Sequence, residues 1–161
     1  MNIKQRIVFN QLCQYIFHKD IKFHYREFDT SKELKEHYAT TGYVGIRFSD
    51  GLERFIGCNV LNDLVRACHD YSHIEHNTTF KRDDELLTAD YCYSDMLASG
   101  VVDKSLAYLI WLDTVSQVFY YDKYGKFVKN QCNFLKDVNS YASNLKDAGL
   151  ICKIVNRLDE Y

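Results

Sequence analysis

The chain has no proline, no stretch rich in Pro, Gly or Ser, and no internal repeat in its 161 residues. Those absences remove the usual signs of a linker or a repeat array, and this length suits one hydrophobic core, so a single compact domain over 1–161 is expected. No apolar run is long enough to cross a bilayer. The N-terminal MNIKQRIVFNQLCQYIF alternates polar and apolar residues and lacks the apolar stretch and small-residue cleavage site of a signal peptide. Charge of one sign is nowhere concentrated: 20 Lys and Arg are interspersed with 22 Asp and Glu, so nucleic-acid binding gains no support from a basic stripe. The six cysteines, Cys13, Cys58, Cys68, Cys92, Cys132 and Cys152, form no CxxC or other zinc-like pair. Without an export signal they are expected to be reduced thiols of a cytosolic protein.

Aromatic residues are abundant instead, with thirteen Tyr and ten Phe, and since a Tyr ring can be buried while its hydroxyl stays wet, the excess does not by itself mark a binding surface. Apolar residues at Ile3, Ile7, Leu12 and Ile16 recur at helical spacing, predicting an amphipathic helix over the first eighteen or so residues. A short strand is expected from Ile21 to Phe28, then a helix from Lys32 to Tyr38, capped by Asp29-Thr-Ser and ended by Gly42. The run Tyr43 to Ile56 reads as two β-rich arms joined by Ser49-Asp50-Gly51, a hairpin signal. Asn59 or Asn62 can cap a helix that carries Leu64, Val65, Ala67 and Cys68 toward the core. Further helices are expected over about Asp83 to Ala98, Lys104 to Tyr121 and Asn130 to Leu145, with a shorter one after Gly149 and with Gly100 and Gly125 as breaks. The expected fold is mainly α with a small β-hairpin.

Polar residues that could carry chemistry concentrate in NDLVRACHDYSHIEH, from Asn62 to His76. At about 100° per residue, His69, His73 and His76 fall within an arc of roughly 60° on one helix face. Neutral imidazoles four apart overlie one another and can hold one divalent ion: zinc, manganese, iron, nickel or cobalt. Asp70, about 100° from His69, is placed as a flanking ligand, an anchor for an imidazole N–H, or an exposed carboxylate. Glu85, in the first turn of the next helix, and Asp113, four residues before Gln117 in the apolar SLAYLIWLDTVSQVFYY, are the acidic groups that could complete a site. A carboxylate buried without a partner is costly, so Asp113 needs a metal, a histidine or Arg66. Against this stand structural readings: a surface or core histidine, Glu85 as an N-terminal helix carboxylate, and Arg66 as an internal partner of Asp113 or Glu85 instead of a phosphate clamp.

The pair His69-Asp70 with His73 resembles the HD-domain metal-dependent phosphohydrolases, in which a His-Asp dyad binds metal together with an earlier His and a later Asp. That likeness implies roles for His37 and Asp113. A closer resemblance, over roughly Phe55 to Asn133, is to small uncharacterised proteins of bacteriophages and prophages, which carry an ND-x-x-RA-x-HD-x-x-(x)-H segment and a later E-T-x-G-Q-x-x-Y-like helix. Gly57, Asn62, Asp63, Arg66, Ala67, His69, Asp70 and His73 match the segment, then Glu85, and Asp113, Thr114, Gln117, Tyr120 and Tyr121 match the helix. Asp113 stands where the group has Glu and Ser116 where it has Gly. The resemblance implies a phage-like origin, a place in the cytoplasm of a bacterial host and a shared polar site, without fixing a reaction.

The leading expectation is a metal-dependent hydrolase acting on a phosphorylated small molecule such as a nucleotide. His69, His73, His76 and Asp113 would hold the divalent ion, Asp70, Glu85 or Asp113 would serve as general base, and Arg66 and Gln117 would bind substrate. The alternative is a non-enzymatic phage-type protein that binds and inhibits a host factor or sequesters a signalling nucleotide through exposed Tyr and Phe. An oxygen-using iron site has the histidines but lacks the paired Glu-x-x-His motifs of di-iron bundles. Cys68 adjoins His69 but points about 100° away on a helix, against a Cys-His nucleophile.

Overall fold

The structure, a computed structural model, describes residues 1–48, 58–159 and 161. Among them are seven helices and one two-stranded sheet: α1 (Ile3–His18), β1 (Phe23–Tyr25), α2 (Ser31–Thr41), β2 (Val44–Ile46), α3 (Asn59–Glu75), α4 (Arg82–Ser99), α5 (Lys104–Tyr124), α6 (Gln131–Ala142) and α7 (Ala148–Arg157). The fold is mainly α with a small β-element, and no described helix is long and apolar enough to cross a membrane. All six cysteines are free thiols.

Local chemistry sets most helix ends where the sequence places them. Asn2 and Gln5 form a reciprocal capping box at the start of α1, as do Thr30 and Glu33 at the start of α2, each pair satisfying two backbone N–H groups that a helix start leaves open. Gly42, Gly100 and Gly125 end α2, α4 and α5 in the left-handed conformation. Asp103, Asn130 and Asp147 accept from the backbone N–H groups of Leu106, Asn133 and Leu150. The start of α3 differs: Asn59 is its first residue, and Cys58 precedes it with no side-chain cap.

The β-element also departs from expectation. Val44–Ile46, the first arm of the expected hairpin, pairs in parallel with Phe23–Tyr25, Phe23 lying opposite Val44 and Tyr25 opposite Ile46. A parallel pair needs a crossover, which α2 supplies. The Ser49-Asp50-Gly51 turn and the second arm lie outside the described residues.

Two helices organise the core. α5 is buried almost all round by Leu106, Ala107, Ile110, Trp111, Leu112, Val115, Phe119 and Tyr120, and it packs on α4, α6 and α7. α3 buries Leu61, Leu64, Val65, Ala67 and Cys68 against α1, α2, α4 and β2. The link between α3 and α4 is drawn tight by Asp84, which accepts from both the backbone N–H and the hydroxyl of Thr79. That link delivers the first turn of α4 to the last turns of α3.

Gly45 has no room for a side chain: a Cβ there would lie 2.4 Å from Phe28 Cε2 and 2.8 Å from the carbonyl oxygen of Arg26. Gly45→Ala is therefore expected to lower stability by about 1–3 kcal/mol, the usual effect of overpacking, read from the urea midpoint of the two proteins. An unchanged midpoint would mean that the sheet and Phe28 are not packed as described.

Candidate metal centre

His69 and His73 lie on successive turns of α3, their rings edge to face with centroids 4.7 Å apart. Glu85, in the first turn of α4, meets both: its Oε2 is 3.3 Å from His69 Nε2 and its Oε1 is 3.4 Å from His73 Nε2. Neither contact is aligned as a hydrogen bond, and both Nε2 atoms are buried without a partner. Two donors bound to one ion at roughly 2.0–2.2 Å with tetrahedral angles stand about 3.3–3.6 Å apart. The three ligand atoms lie within 4.8 Å of one another. The two contacts are ion pairs when an imidazole is protonated, and the same three atoms could hold a metal ion.

The proton positions around His73 follow from hydroxyl bookkeeping. Thr88 Oγ1 is 2.7 Å from the carbonyl oxygen of Asp84, which can only accept, so Thr88 spends its one proton there. Thr78 must then donate to Thr88, and His73 Nδ1, 2.9 Å from Thr78 Oγ1, must donate to Thr78. The chain of donors leaves His73 Nε2 with a bare lone pair facing Glu85. His73 itself is 0% exposed, so its orientation is fixed by packing as well. His69 is held similarly, with Nδ1 3.3 Å from Asp70 Oδ1. A carboxylate or hydroxyl on the far nitrogen is how metal-binding imidazoles are commonly oriented and made more basic.

Electrostatics couple the group. Burial pulls the pKa of His69 down, but the carboxylates of Asp70 and Glu85 outweigh it and raise it well above the ordinary imidazole value. His73 is lowered, chiefly by burial and further by its neighbour His69. Glu85 is pushed up by burial and down, more strongly, by the two imidazoles, and it ends below the usual carboxylate range. Without a metal, a proton shared among these groups supplies the positive charge that Glu85 needs. An ion would take the proton's place, as metal binding to imidazole requires.

The centre opens on a cavity of about 1030 Å³ whose walls include Arg66, His69, Asp70, Glu85, Asp113 and Gln117. Arg66 Nη1 donates to the carbonyl oxygen of Arg47 at 3.3 Å. Asp113 is buried, one of its oxygens has no partner, and burial raises its pKa to about 7, with Gln117 and the more distant Arg66 and His69 opposing. Gln117 neighbours Asp113 without a well-formed hydrogen bond.

Seven of the eight residues singled out in the sequence thus line this cavity or its metal group, though not all in the expected parts. Asp70 orients His69, and Glu85 sits among the ligand atoms instead of standing back as a base. Asp113 lies outside the compact ligand group. His76 is elsewhere: α3 ends at Glu75, and His76 Nε2 bonds Asp95 Oδ2 at 2.7 Å while its ring stacks on Tyr91. Sharing a helix face is not sharing a height, since seven residues separate His69 from His76 by roughly 10 Å along the axis. Glu75, His76 and Asp95 make a second acidic cluster, but Lys19 reaches into it, 2.9 Å from Glu75 and 3.8 Å from Asp95, and satisfies it as an ion-pair network. His37 faces His24, their Nε2 atoms 2.8 Å apart. Cys68 is buried, and burial pushes its thiol well up, the reverse of an activated nucleophile. The sequence reading missed Thr78 and Thr88; the one signal available was that Thr88 follows Glu85 by three residues and so shares its helix face.

Comparison with protein-family models, curated proteins and solved structures returns no match to this chain.

Calorimetric titration of the purified chain with zinc and manganese should show one strong site. Glu85→Gln and His69→Ala should abolish it, Thr78→Val should weaken it by about 10–100-fold through the freed imidazole, and His76→Ala should leave it intact. Binding that survives Glu85→Gln but is lost in His76→Ala would move the site to the Lys19 network.

Proposed function

We propose that the cavity is the active centre of a metal-dependent hydrolase acting on a phosphorylated small molecule such as a nucleotide, in a protein of phage-like origin. The observation that supports this most is a set of two buried imidazole Nε2 atoms without an aligned hydrogen bond and one carboxylate, opening on a cavity that also presents a guanidinium and a separate buried carboxyl. Zinc, manganese, iron, nickel and cobalt all suit nitrogen and oxygen donors of this kind.

His69, His73 and Glu85 would hold a divalent ion, which would supply Lewis-acid polarisation of a phosphoryl oxygen and acidify water. The chain's own residues do the rest. Asp70 and the Thr78–Thr88 relay keep both Nε2 atoms turned inward. Arg66 offsets phosphate charge with a planar, permanently charged fork. Asp113, a cavity carboxyl off the ligand group with an unpartnered oxygen, would accept the proton of the attacking water as its oxygen bonds to phosphorus. The P–O bond to the leaving group breaks, and the leaving oxygen is protonated from solvent, so one water is consumed per ester cleaved.

A non-enzymatic host-factor binder is the second reading, and a different observation favours it. Ile3, Ile7 and Phe17 are 77%, 52% and 87% exposed on α1 and lie within an arc of about 80°. With Asn10 and Gln14 exposed between them, these apolar side chains on a mixed face suit a protein contact.

The chain loaded with each of the five metals should release phosphate from p-nitrophenyl phosphate or a nucleoside phosphate. Asp113→Asn should lower kcat by about 10²–10⁴-fold with metal content unchanged. A fully metal-loaded protein that releases no phosphate from any of these substrates would leave the binding role in its place.

A further inference from the structure

The wall of the cavity built by α5 and the start of α6 carries four buried polar atoms with no hydrogen-bond partner: one carboxylate oxygen of Asp113, both amide atoms of Gln117, and Oε1 of Gln131. The three side chains are only 7%, 7% and 8% exposed, and all three line the cavity. Native proteins leave few buried polar atoms unsatisfied, so several on one wall need an explanation. Ser116, on the same helix, shows the ordinary solution: its hydroxyl donates to the backbone carbonyl of Asp113. Gln117 has no such partner, and it holds an N–H donor and a carbonyl acceptor side by side at the cavity wall.

One turn further along α5, Tyr121 lines the same cavity with Phe127, their ring centroids 4.9 Å apart and tilted by 39°. They are 47% and 62% exposed, so their faces are not used up by the core. An amide that offers donor beside acceptor is the complement of a nucleobase edge. Open aromatic faces bind bases by stacking, whichever the base. The cavity is also large enough for a ligand that reaches from this wall to His69 and Arg66.

We propose that the α5–α6 wall is a nucleobase subsite, with the Gln117 amide pairing to the base edge and Tyr121 and Phe127 stacking on its face. This rests on the hydrolase reading only in making the rest of the ligand a phosphate; the subsite itself needs no metal. Buried water alone could also satisfy the four atoms, and the test separates the two.

Affinities are measured by calorimetry on the full chain, metal-free and zinc-loaded, for the four common nucleoside 5′-monophosphates, their nucleosides and ribose 5-phosphate. At least one monophosphate should bind about tenfold or more tightly than ribose 5-phosphate, a margin of one good hydrogen bond, and its nucleoside should compete with it in the metal-free protein. Gln117→Leu should erase that margin while leaving the binding of ribose 5-phosphate unchanged. Tyr121→Ala should reduce the margin while sparing ribose 5-phosphate. Equal binding of monophosphates and ribose 5-phosphate, no binding of either, or a margin that survives Gln117→Leu would each overturn the subsite. Phosphate release without base preference would sink the subsite and spare the hydrolase. Nucleoside binding in a chain that takes up no metal would do the reverse.

Discussion

Glu85 and the two imidazoles that face it form the constraint on which the site depends. A carboxylate with little solvent cannot stay charged alone, and its neighbours offer no aligned hydrogen bond, only two nitrogens at 3.3 and 3.4 Å. The arrangement needs a positive charge at its middle, whether proton or metal. The surrounding structure acts to keep the three donors aimed at that point. Asp70 holds one ring, Thr78 and Thr88 hold the other, and the Asp84–Thr79 bonds fix how α4 approaches α3. A relay that ends on the backbone carbonyl of Asp84 ties the His73 tautomer to the helix that carries Glu85. The orientation of the donors is thereby part of the fold.

The same logic explains why polar residues interrupt α5, the most buried helix. Its apolar surface secures the packing of α4, α6 and α7, while Asp113 and Gln117 break that surface where the helix faces the cavity. On the proposed reading, those two residues divide the work: the carboxyl serves the reaction beside the ligand group, and the amide serves recognition along the wall. The same reading has the α3–α4 side offering donors to the ion and α5 and α6 meeting the rest of the ligand.

Much of this was legible in the sequence because it depends on local rules. Helical periodicity, the cap at Asp29-Thr-Ser and the glycines at 42, 100 and 125 give these helices to within about three residues. Imidazoles four apart in α3 had to overlie, and a charged residue in an apolar helix had to have a use. What could not be read depends on tertiary placement. Periodicity gives the angle of His76 but not that α3 stops one residue earlier, nor that Asp95 and Tyr91 would be within its reach. The β-branched run at Val44 to Ile46 looks the same whether its partner is the next segment or Phe23–Tyr25, which a helix separates from it. That Glu85 and not Asp113 stands beside the two imidazoles depends on how the α3–α4 link delivers the first turn of α4, and Thr79 and Asp84, which close that link, have no distinctive pattern.

The central claim is that two imidazole nitrogens and one carboxylate converge on a metal position between α3 and α4. Crystals of the chain grown with zinc or manganese, with diffraction recorded on either side of the metal's absorption edge, test it most directly. The account predicts one strong anomalous peak roughly 2.0–2.2 Å from His69 Nε2, His73 Nε2 and a Glu85 oxygen, with Thr78 still bonded to His73 Nδ1. A peak beside His76 and Asp95, or an empty centre with Glu85 hydrogen-bonded to a protonated His69 at saturating metal, would contradict it.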